Sequence, residues 1–192
     1  MLDDVPLGGQ LHGGCAGSVA RRARSKGYPI RVQERLAPRV TRYVVEAPEV
    51  ARARKAGQFV IVRVSDEGER IPLTIADGDA DEGTITLVVQ EVGKTTAQMA
   101  VLPPGSALAD VVGPLGTPTH VERVGTVACI GGGIGIAPVH PIAQAMRKAG
   151  NRVVGILGAR SRDLLILEAE MRIAMFAAGA GRIGDYSHCG FR

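Results

Sequence analysis

A glycine-rich segment has the spacing of a loop that binds a nucleotide phosphate. It follows an apolar run, Thr126 to Ile130, and precedes a helical pattern. A strand, a tight turn and the start of a helix together direct backbone N–H groups at a pyrophosphate. The strict dinucleotide pattern, G-x-G-x-x-G, is broken because Pro138 replaces the third glycine, and proline suits the first helical position. The candidate residues are Gly131, Gly132, Gly133, Gly135 and Pro138. A glycine turn without a ligand is the alternative.

A second candidate site is the segment from Arg70 to Thr74, which contains a cation, a proline and a hydroxyl in close succession. In a strand, alternate residues share one face, so Arg70, Pro72 and Thr74 are expected on the same side. Such a face can bind a flavin, with the guanidinium on a phosphate and the hydroxyl near the ring. The alternative is an edge strand whose proline protects the edge.

Two further segments resemble parts of nucleotide sites without completing a motif. Val92 to Thr96 lacks the first glycine of a Walker A loop, since Val88 occupies that position. Its threonines can hold a phosphate or simply cap a helix, and the sequence leaves both open. Gly113 to Gly116 forms a turn at the predicted domain boundary, where cofactors often bind.

A basic loop, Arg160 to Arg162, follows the second predicted strand of the glycine-loop half. Arginine at this position favours the 2′-phosphate of NADP, whereas NAD sites usually carry an acidic residue. Asp163 is adjacent, and a polar loop that caps a helix is the alternative.

The composition excludes several function classes. The chain has 192 residues, 45% of them hydrophobic and 3% aromatic, and its net charge of +4 is spread along the sequence, so no nucleic-acid partner is expected. Three distant cysteines give no zinc, iron–sulfur or disulfide pattern. No apolar run is long enough to span a membrane and no secretory signal is present, so we predict a cytoplasmic protein. The four histidines lack partners at catalytic spacing, and no catalytic residue or metal ligand is predicted.

The secondary-structure pattern changes near residue 125. Strands are predicted at 30–34, 41–46, 57–64, 71–75, 84–90 and 107–112, with a helix at 95–102 before the last strand. Such short strands are typical of an antiparallel barrel or sandwich. The next elements are a strand at 126–130, a helix at 138–149, a strand at 153–157 and a helix at 164–175. This alternation predicts a parallel α/β domain.

The predicted division is a flexible extension at 1–27, a barrel at 28–123 and an α/β domain at 124–192. A dinucleotide-binding sheet contains two βαβαβ halves. Two secure strands are predicted here, so the α/β domain is expected to be incomplete.

Six segments, in order, resemble those of the ferredoxin–NADP reductase superfamily over residues 28–172. They are Gly57–Phe59, Arg70–Thr74, Gly93–Thr96, Gly113–Gly116, Gly131–Pro138 and Gly158–Asp163. The most similar branch is the small, FAD-containing subunit of NADH-dependent ferredoxin:NADP oxidoreductase, also called sulfide dehydrogenase. The electron-transfer subunit of dihydroorotate dehydrogenase is a more distant relative.

The resemblance implies an antiparallel Greek-key FAD-binding barrel followed by a truncated Rossmann-like, parallel α/β nucleotide-binding domain. Arg70 is then expected to bind the FAD pyrophosphate. The residues that would line the isoalloxazine ring are Pro72, Leu73 and Thr74. Completing the FAD phosphate site would be Gly93, Lys94, Thr95 and Thr96, with Gly113 at the domain boundary. The glycine loop through Pro138 would receive NAD(P)H. Because NADH users in this branch also carry basic residues here, Arg160, Ser161 and Arg162 leave the choice between NADH and NADPH open.

The implied function is a flavoprotein oxidoreductase subunit that passes electrons between NAD(P)H and a partner. That partner is a larger iron–sulfur or flavoprotein subunit, or a ferredoxin. The family continues into a cysteine-rich [2Fe–2S] segment, but only Cys189 follows Cys129, so no cluster ligands are predicted in this chain. Residues 1–27 and 173–192 look unlike the family at the same places, and a truncated or altered reading frame is one explanation. The alternative is a non-catalytic FAD-binding or assembly module that does not use NAD(P)H.

Overall fold

The computed structural model describes residues 27–161, 164–168, 170 and 171. The predicted extension at 1–27 lies outside these residues except for Gly27. Arg162 and Asp163 also lie outside them, as do residues 169 and 172–175 of the predicted helix at 164–175.

An antiparallel sheet forms the first half of the described chain. Its strands are β1 (Tyr28–Ala37), β2 (Val40–Glu46), β3 (Phe59–Arg63), β4 (Arg70–Asp79), β5 (Thr84–Gln90), β6 (Ala107–Leu108) and β7 (Asp110–Leu115). Two helices interrupt the series: α1 (Pro48–Ala53) between β2 and β3, and α2 (Lys94–Ala100) between β5 and β6. Within the described residues the strand order is β6-β1-β2-β5-β4-β3-β7.

The sheet forms a nearly closed barrel. The two ends of the sheet are β6 and β7, and only Ala109 separates them in the chain. The single strand predicted at 107–112 is therefore two strands in the structure. The hairpin-connected strands β5, β4 and β3 have β2 beside β5, which is a Greek key. The predicted fold class of this half is confirmed.

The barrel interior is filled by apolar side chains that alternate along each strand. Val60 and Val62 of β3, and Ile85 and Leu87 of β5, point inward and are fully buried. Met99 of α2 closes one end of the same cluster. Period-2 alternation of β-branched residues therefore determines both the strands and the core.

The second half is a parallel α/β unit. It contains β8 (Thr126–Gly132), a short 3-10 helix (Gly133–Gly135), α3 (Ile136–Lys148) and β9 (Arg152–Gly158). Strands β8 and β9 pair in parallel, as predicted. A second hydrophobic cluster joins this unit to the outside of the barrel, and it contains Ala76 and Val88 from the barrel strands together with Ile136 and Ala143 from α3.

One predicted boundary is wrong in a way that matters for the site. Helix α3 begins at Ile136, so Pro138 is its third residue rather than its first. The 3-10 helix carries the chain into α3 two residues early. The first four N–H groups of a helix have no acceptor within it, so a proline at the third position also removes no helical hydrogen bond.

Helix α1 was not predicted, although its sequence contains helix signals. Pro48 occupies the first helical position and Glu49 lies in the first turn, while Val50 and Ala51 are buried. Its six residues are too few for a helical period to be visible in the sequence. No helix among the described residues is long and apolar enough to cross a membrane.

Candidate functional site

A cleft opens where β4 and β5 separate. The pairing of β4 with β5 begins at Ile75 and runs to Asp79, whereas residues from Arg70 to Thr74 pair with β3. Beyond Leu87, strand β5 continues beside β2. The first half of β4 therefore has one edge beside an opening, and this opening is a cleft of about 510 Å³.

The cleft brings together predicted site residues from three separate segments. From β4 it includes Pro72, Leu73 and Thr74; from the start of α2 it includes Gly93, Lys94, Thr95 and Thr96; and from the glycine loop it includes Gly135 and Pro138. The walls thus belong to both halves of the chain. Sequence proximity could not reveal this arrangement, because the three segments are about 20 and 40 residues apart.

The β4 wall is formed by consecutive residues and not by the predicted face of Arg70, Pro72 and Thr74, since Ile71 to Thr74 all line the cleft and Arg70 does not. Pro72 is exposed to the cleft, whereas Ile71 and Leu73 pack against the barrel core. The edge-strand alternative is wrong for β4 as a whole, because β4 lies between β5 and β3. It holds locally, since Pro72 pairs only with Ile61 of β3 and the other side of the strand faces the cleft. Proline is tolerated at such a free edge.

Arg70 forms an ion pair at the barrel surface. Its Nη2 atom donates to Oδ2 of Asp110 at 3.1 Å, and Nη2 of Arg63 approaches the same oxygen at 2.9 Å. The Arg70 side chain is 59% exposed and does not line the cleft, although its neighbours Glu69 and Ile71 do. Because the ion pair is exposed, it costs little to break in exchange for a phosphate. The assignment of Arg70 to a pyrophosphate stays a prediction.

The junction between β5 and α2 shows the capping arrangement that the sequence left open. The Thr96 hydroxyl accepts from the N–H groups of Val92 and Gly93, both at 3.0 Å, and donates to the Gly93 carbonyl at 2.9 Å. The Thr95 hydroxyl donates to Oε2 of Glu69 at 3.0 Å. Both hydroxyl groups therefore have partners in this chain, which favours capping for Thr96. The phosphate role of this junction stays a prediction.

Glu69 is a site residue that sequence reasoning missed. Glu69 lines the cleft, and its carboxylate accepts a hydrogen bond from the hydroxyl of the buried Thr95. A carboxylate can receive hydrogen bonds from a ribityl, ribose or amide group but repels a phosphate. Glu69 therefore indicates a neutral, hydrogen-bonding part of a ligand at this place. Its position directly before Arg70 was the available signal.

The glycines of the loop have different physical roles. A Cβ on Gly131 would lie 3.1 Å from Cα of Ile136 and 3.2 Å from the Gly135 carbonyl oxygen, so Gly131 allows the strand to approach the helix. Gly133 has a φ of +53°, which glycine adopts without strain. A Cβ on Gly135 would meet no atom within 4 Å, and Gly135 lines the cleft. Gly132 has only the Gly158 carbonyl oxygen nearby, at 3.6 Å.

Comparison with known proteins gives sequence relatives for most of the described chain. No family model matches it. A dihydroorotate dehydrogenase B electron transfer subunit homolog from Thermotoga maritima is 44% identical over 138 residues, which are 72% of this chain and 49% of the relative. The electron transfer subunit of dihydroorotate dehydrogenase B from Bacillus caldolyticus is 33% identical over 162 residues, which cover 81% of this chain and 62% of the relative.

Comparison with solved structures also gives a relative with high sequence identity. The structure of an NADH-dependent reduced ferredoxin–NADP oxidoreductase superposes with a TM-score of 0.75 at 40% identity, over 79% of this chain and 55% of the other. The chain belongs to the ferredoxin reductase-like superfamily. A phthalate dioxygenase reductase, with a TM-score of 0.63 at 20% identity, shares the fold. The chain spans about half the length of the curated relatives it matches.

Gly113, Arg160 and Ser161 of this ferredoxin reductase-like chain were also predicted as site residues, and they do not line the cleft. Gly113 is in β7, where a Cβ would come within 2.7 Å of Cγ1 of Val60, so the position is determined by packing against β3. The Gly113–Pro114 peptide is cis. Arg160 and Ser161 are exposed just after β9 and do not line the cleft. Arg162 lies outside the described residues. Their roles stay predictions.

Within the part of the chain that the structure describes, no group of three or more histidine, cysteine or acidic side chains could hold a metal ion. Cys129 is buried in β8, and burial raises the pKa of its thiol. It packs in the cluster between the sheet and α3, so its role there is that of a small apolar residue.

Proposed function

We propose that the chain is a FAD-binding electron-transfer subunit that passes electrons between NAD(P)H and an iron–sulfur or ferredoxin-type partner. One observation carries the proposal: a single cleft has the Pro72–Thr74 segment on one wall and Ile134–Pro138 on the other. Its volume of about 510 Å³ is within the range of small-molecule and cofactor sites. The relatives named as electron transfer subunits support the same reading.

The cleft fits a flavin on observations of its own. The free edge of β4 from Arg70 to Thr74 offers backbone groups and the Thr74 hydroxyl to the polar edge of a ring. Pro72 and Leu73 supply rigid apolar surface. At the other wall, the open space beside Gly135 lets a second nucleotide approach the backbone at the beginning of α3. Bound FAD would supply hydride acceptance from a nicotinamide and release of single electrons.

The protein's own residues bind and orient in this proposal, and no side chain acts as an acid or base. The hydroxyl of Thr74 hydrogen-bonds the ring, Glu69 accepts from a neutral polar group, and Lys94 and Arg70 face phosphate. The start of α3 holds the nicotinamide nucleotide against the opposite wall of the cleft. Orienting two reactants in this way is the main contribution a protein can make to hydride transfer.

The partner proposal is a larger iron–sulfur or flavoprotein subunit, or a ferredoxin. The supporting finding is that the relatives are named as electron transfer subunits of dihydroorotate dehydrogenase B or as a homolog of one. Because the chain spans about half of those relatives, the activity and partners of the whole proteins remain proposals for this chain.

A second candidate is a module that holds FAD without using NAD(P)H. Two observations favour it: in the described residues the parallel sheet consists of β8 and β9, and its outer face exposes Ile130 (66%) and Ile156 (54%). Parallel sheets are normally covered on both faces. A nucleotide half with one bare face can be too poorly supported to position a nicotinamide.

Anaerobic stopped-flow mixing of the FAD-loaded full chain with NADH and, separately, with NADPH distinguishes the two functions. Prompt loss of flavin absorbance after mixing supports electron transfer, and the nucleotide that reduces the flavin faster is the preferred one. A yellow protein that neither nucleotide reduces supports the module, and a chain that takes up no FAD rules out both.

A matched pair of variants then ties the reaction to the cleft. Thr74→Val keeps the shape of the side chain and removes its hydroxyl, so the flavin should be reduced about 2- to 10-fold more slowly. Thr126→Val makes the same change at an exposed position at the start of β8, where no effect is expected. Equal rates in the two variants would remove Thr74 from the site.

A further inference from the structure

A buried histidine connects the two walls of the cleft, and the proposed function assigns it no role. His140 of α3 has a side chain that is 5% exposed. Its Nδ1 atom lies 3.1 Å from the carbonyl oxygen of Ala76 in β4. A polar side chain buried between two elements is expected to be hydrogen-bonded, and here the hydrogen bond runs from the α/β unit to the barrel.

The acceptor of this hydrogen bond is made available by an irregularity in β4. Ile75 pairs with Leu87 and Asp77 pairs with Thr86, so Ala76 is an extra residue in a β-bulge. A bulge leaves its extra residue outside the regular ladder and re-aims its groups. The Ala76 carbonyl is therefore directed at α3 instead of at β5. The bulge and the histidine form one arrangement.

The contacts determine the state of the imidazole ring. A carbonyl oxygen only accepts, so Nδ1 must carry a proton and donate to Ala76. The Nε2 atom then accepts from the side-chain amide of Gln144, at 3.3 Å. The same amide nitrogen donates to Oδ2 of Asp77, at 3.3 Å. The neutral ring with its proton on Nδ1 satisfies all these contacts together.

Charged groups near the ring come from the barrel side. Asp77 Oδ2 lies 4.0 Å from Nδ1 of His140, and its Oδ1 accepts from Nη2 of Arg54 at 3.1 Å. Arg54 also donates to the Gly78 carbonyl at 2.5 Å. The arginine balances the carboxylate, so the network is complete with an uncharged ring.

This network directly follows the cleft-lining residues in both β4 and α3. Ala76 is two residues beyond Thr74 on one wall, and His140 is two residues beyond Pro138 on the other. The His140 hydrogen bond is therefore a direct cross-link between the two elements that form these walls. The distance between the walls determines how a nicotinamide and a flavin ring meet.

We propose that His140 is a positioning residue, whose Nδ1–H···O hydrogen bond to the bulged Ala76 holds the α3 wall of the cleft at a fixed distance from the β4 wall. The role in electron transfer rests on the proposed function. The cross-link itself does not, since it is a property of the apoprotein.

The test compares three variants of the full-length chain. His140→Asn keeps an N–H donor near the place of Nδ1, whereas His140→Leu fills a similar volume without a donor. His140→Gln is the polar control, because its amide is one bond further out, and it carries the test if the Leu variant does not fold. The first measurement is amide hydrogen exchange in residues 71–76 and 134–138. The second is the rate of flavin reduction by NADH and NADPH.

We expect faster exchange in both segments for the Leu and Gln variants and wild-type exchange for Asn. Flavin reduction should be slowed about 10- to 100-fold in Leu and Gln, and less than about 3-fold in Asn, since misplacement near 1 Å has effects of that size. Unchanged exchange and rate in the Leu or Gln variant would overturn the proposal. Equal impairment of all three would also overturn it, because the role would then be packing alone. If wild type is not reduced, the proposed function fails while hydrogen exchange still decides the role of His140.

Discussion

Two glycines of the phosphate-loop segment should respond in opposite ways to the same substitution. A Cβ at Gly131 would lie 3.1 Å from Cα of Ile136 and 3.2 Å from the Gly135 carbonyl oxygen, both of them backbone atoms. Overpacking of this kind costs about 1–3 kcal/mol, because the strand and helix must move apart. Gly131→Ala is therefore expected to lower the free energy of unfolding by about that amount.

Gly135→Ala is the matched control. Gly135 has φ −65° and ψ −9°, an ordinary right-handed conformation, and a Cβ there meets no atom within 4 Å. Replacing glycine by alanine at a compatible site stabilises by about 0.4–1 kcal/mol through the unfolded state. However, the new methyl group would enter the cleft. Gly135→Ala should therefore leave stability unchanged or raised while it weakens nucleotide binding.

Urea unfolding of both variants measures the first quantity, and titration with NADH or NADPH measures the second. The difference in unfolding free energy between the two variants should be about 1–4 kcal/mol, with Gly131→Ala the less stable. The reasoning is refuted if Gly131→Ala is as stable as Gly135→Ala. If Gly135→Ala binds nucleotide as wild type does, the α3 wall is not the nucleotide site.

Arg70→Ala should weaken FAD binding about 10- to 100-fold, since a hydrogen bond to a charged group contributes about 1.5–3 kcal/mol; unchanged flavin retention would remove Arg70 from the site. Asn151→Ala should lower the unfolding free energy by about 2–4 kcal/mol in urea, because the buried amide bonds Val124, Gly125, Glu122 and Met146; a loss under about 0.5 kcal/mol would contradict this. Burial raises the pKa of Tyr43 above its ordinary 10.0, so the unfolded chain ionises first. The contribution of Tyr43 to the free energy of unfolding should therefore be complete below pH 10, and the free energy of unfolding should decline as the pH rises further. Tyr43→Phe should reduce that decline. Burial also raises the pKa of the Cys129 thiol, so peptide mapping after iodoacetamide treatment near neutral pH should show much slower alkylation of Cys129 in the folded chain than in urea.

Local patterns were sufficient to predict most of the barrel strands and the order of strand, turn and helix around the glycine loop. Strand β5 has the same limits in the sequence and in the structure, because its β-branched residues end at clear turn signals. The preceding turn was visible as Asp79 to Gly83. Asp79 accepts from two N–H groups within it, and Gly83 has a φ of +65°. Such features depend on neighbouring residues and can therefore be read from the sequence.

The elements that complete the site depend on contacts between distant residues. The bulge at Ala76 is defined by its pairing with β5, and nothing in the local sequence marks it. His140 is one of the histidines without a partner at catalytic spacing in the sequence, and its hydrogen bond to Ala76 spans 64 residues. Glu69 and Thr95 both line the cleft and are hydrogen-bonded to each other, although they are distant in the sequence. The segments were predictable, whereas their meeting in one cleft required the fold.

The visible spectrum of the purified full chain, after incubation with FAD and removal of free flavin by gel filtration, tests the central claim most directly. The cleft between β4, α2 and α3 predicts about one flavin bound per chain, with its absorption spectrum shifted from that of free FAD. A folded chain that emerges colourless would contradict the central claim, because it would show that the residues lining this cleft do not bind a flavin.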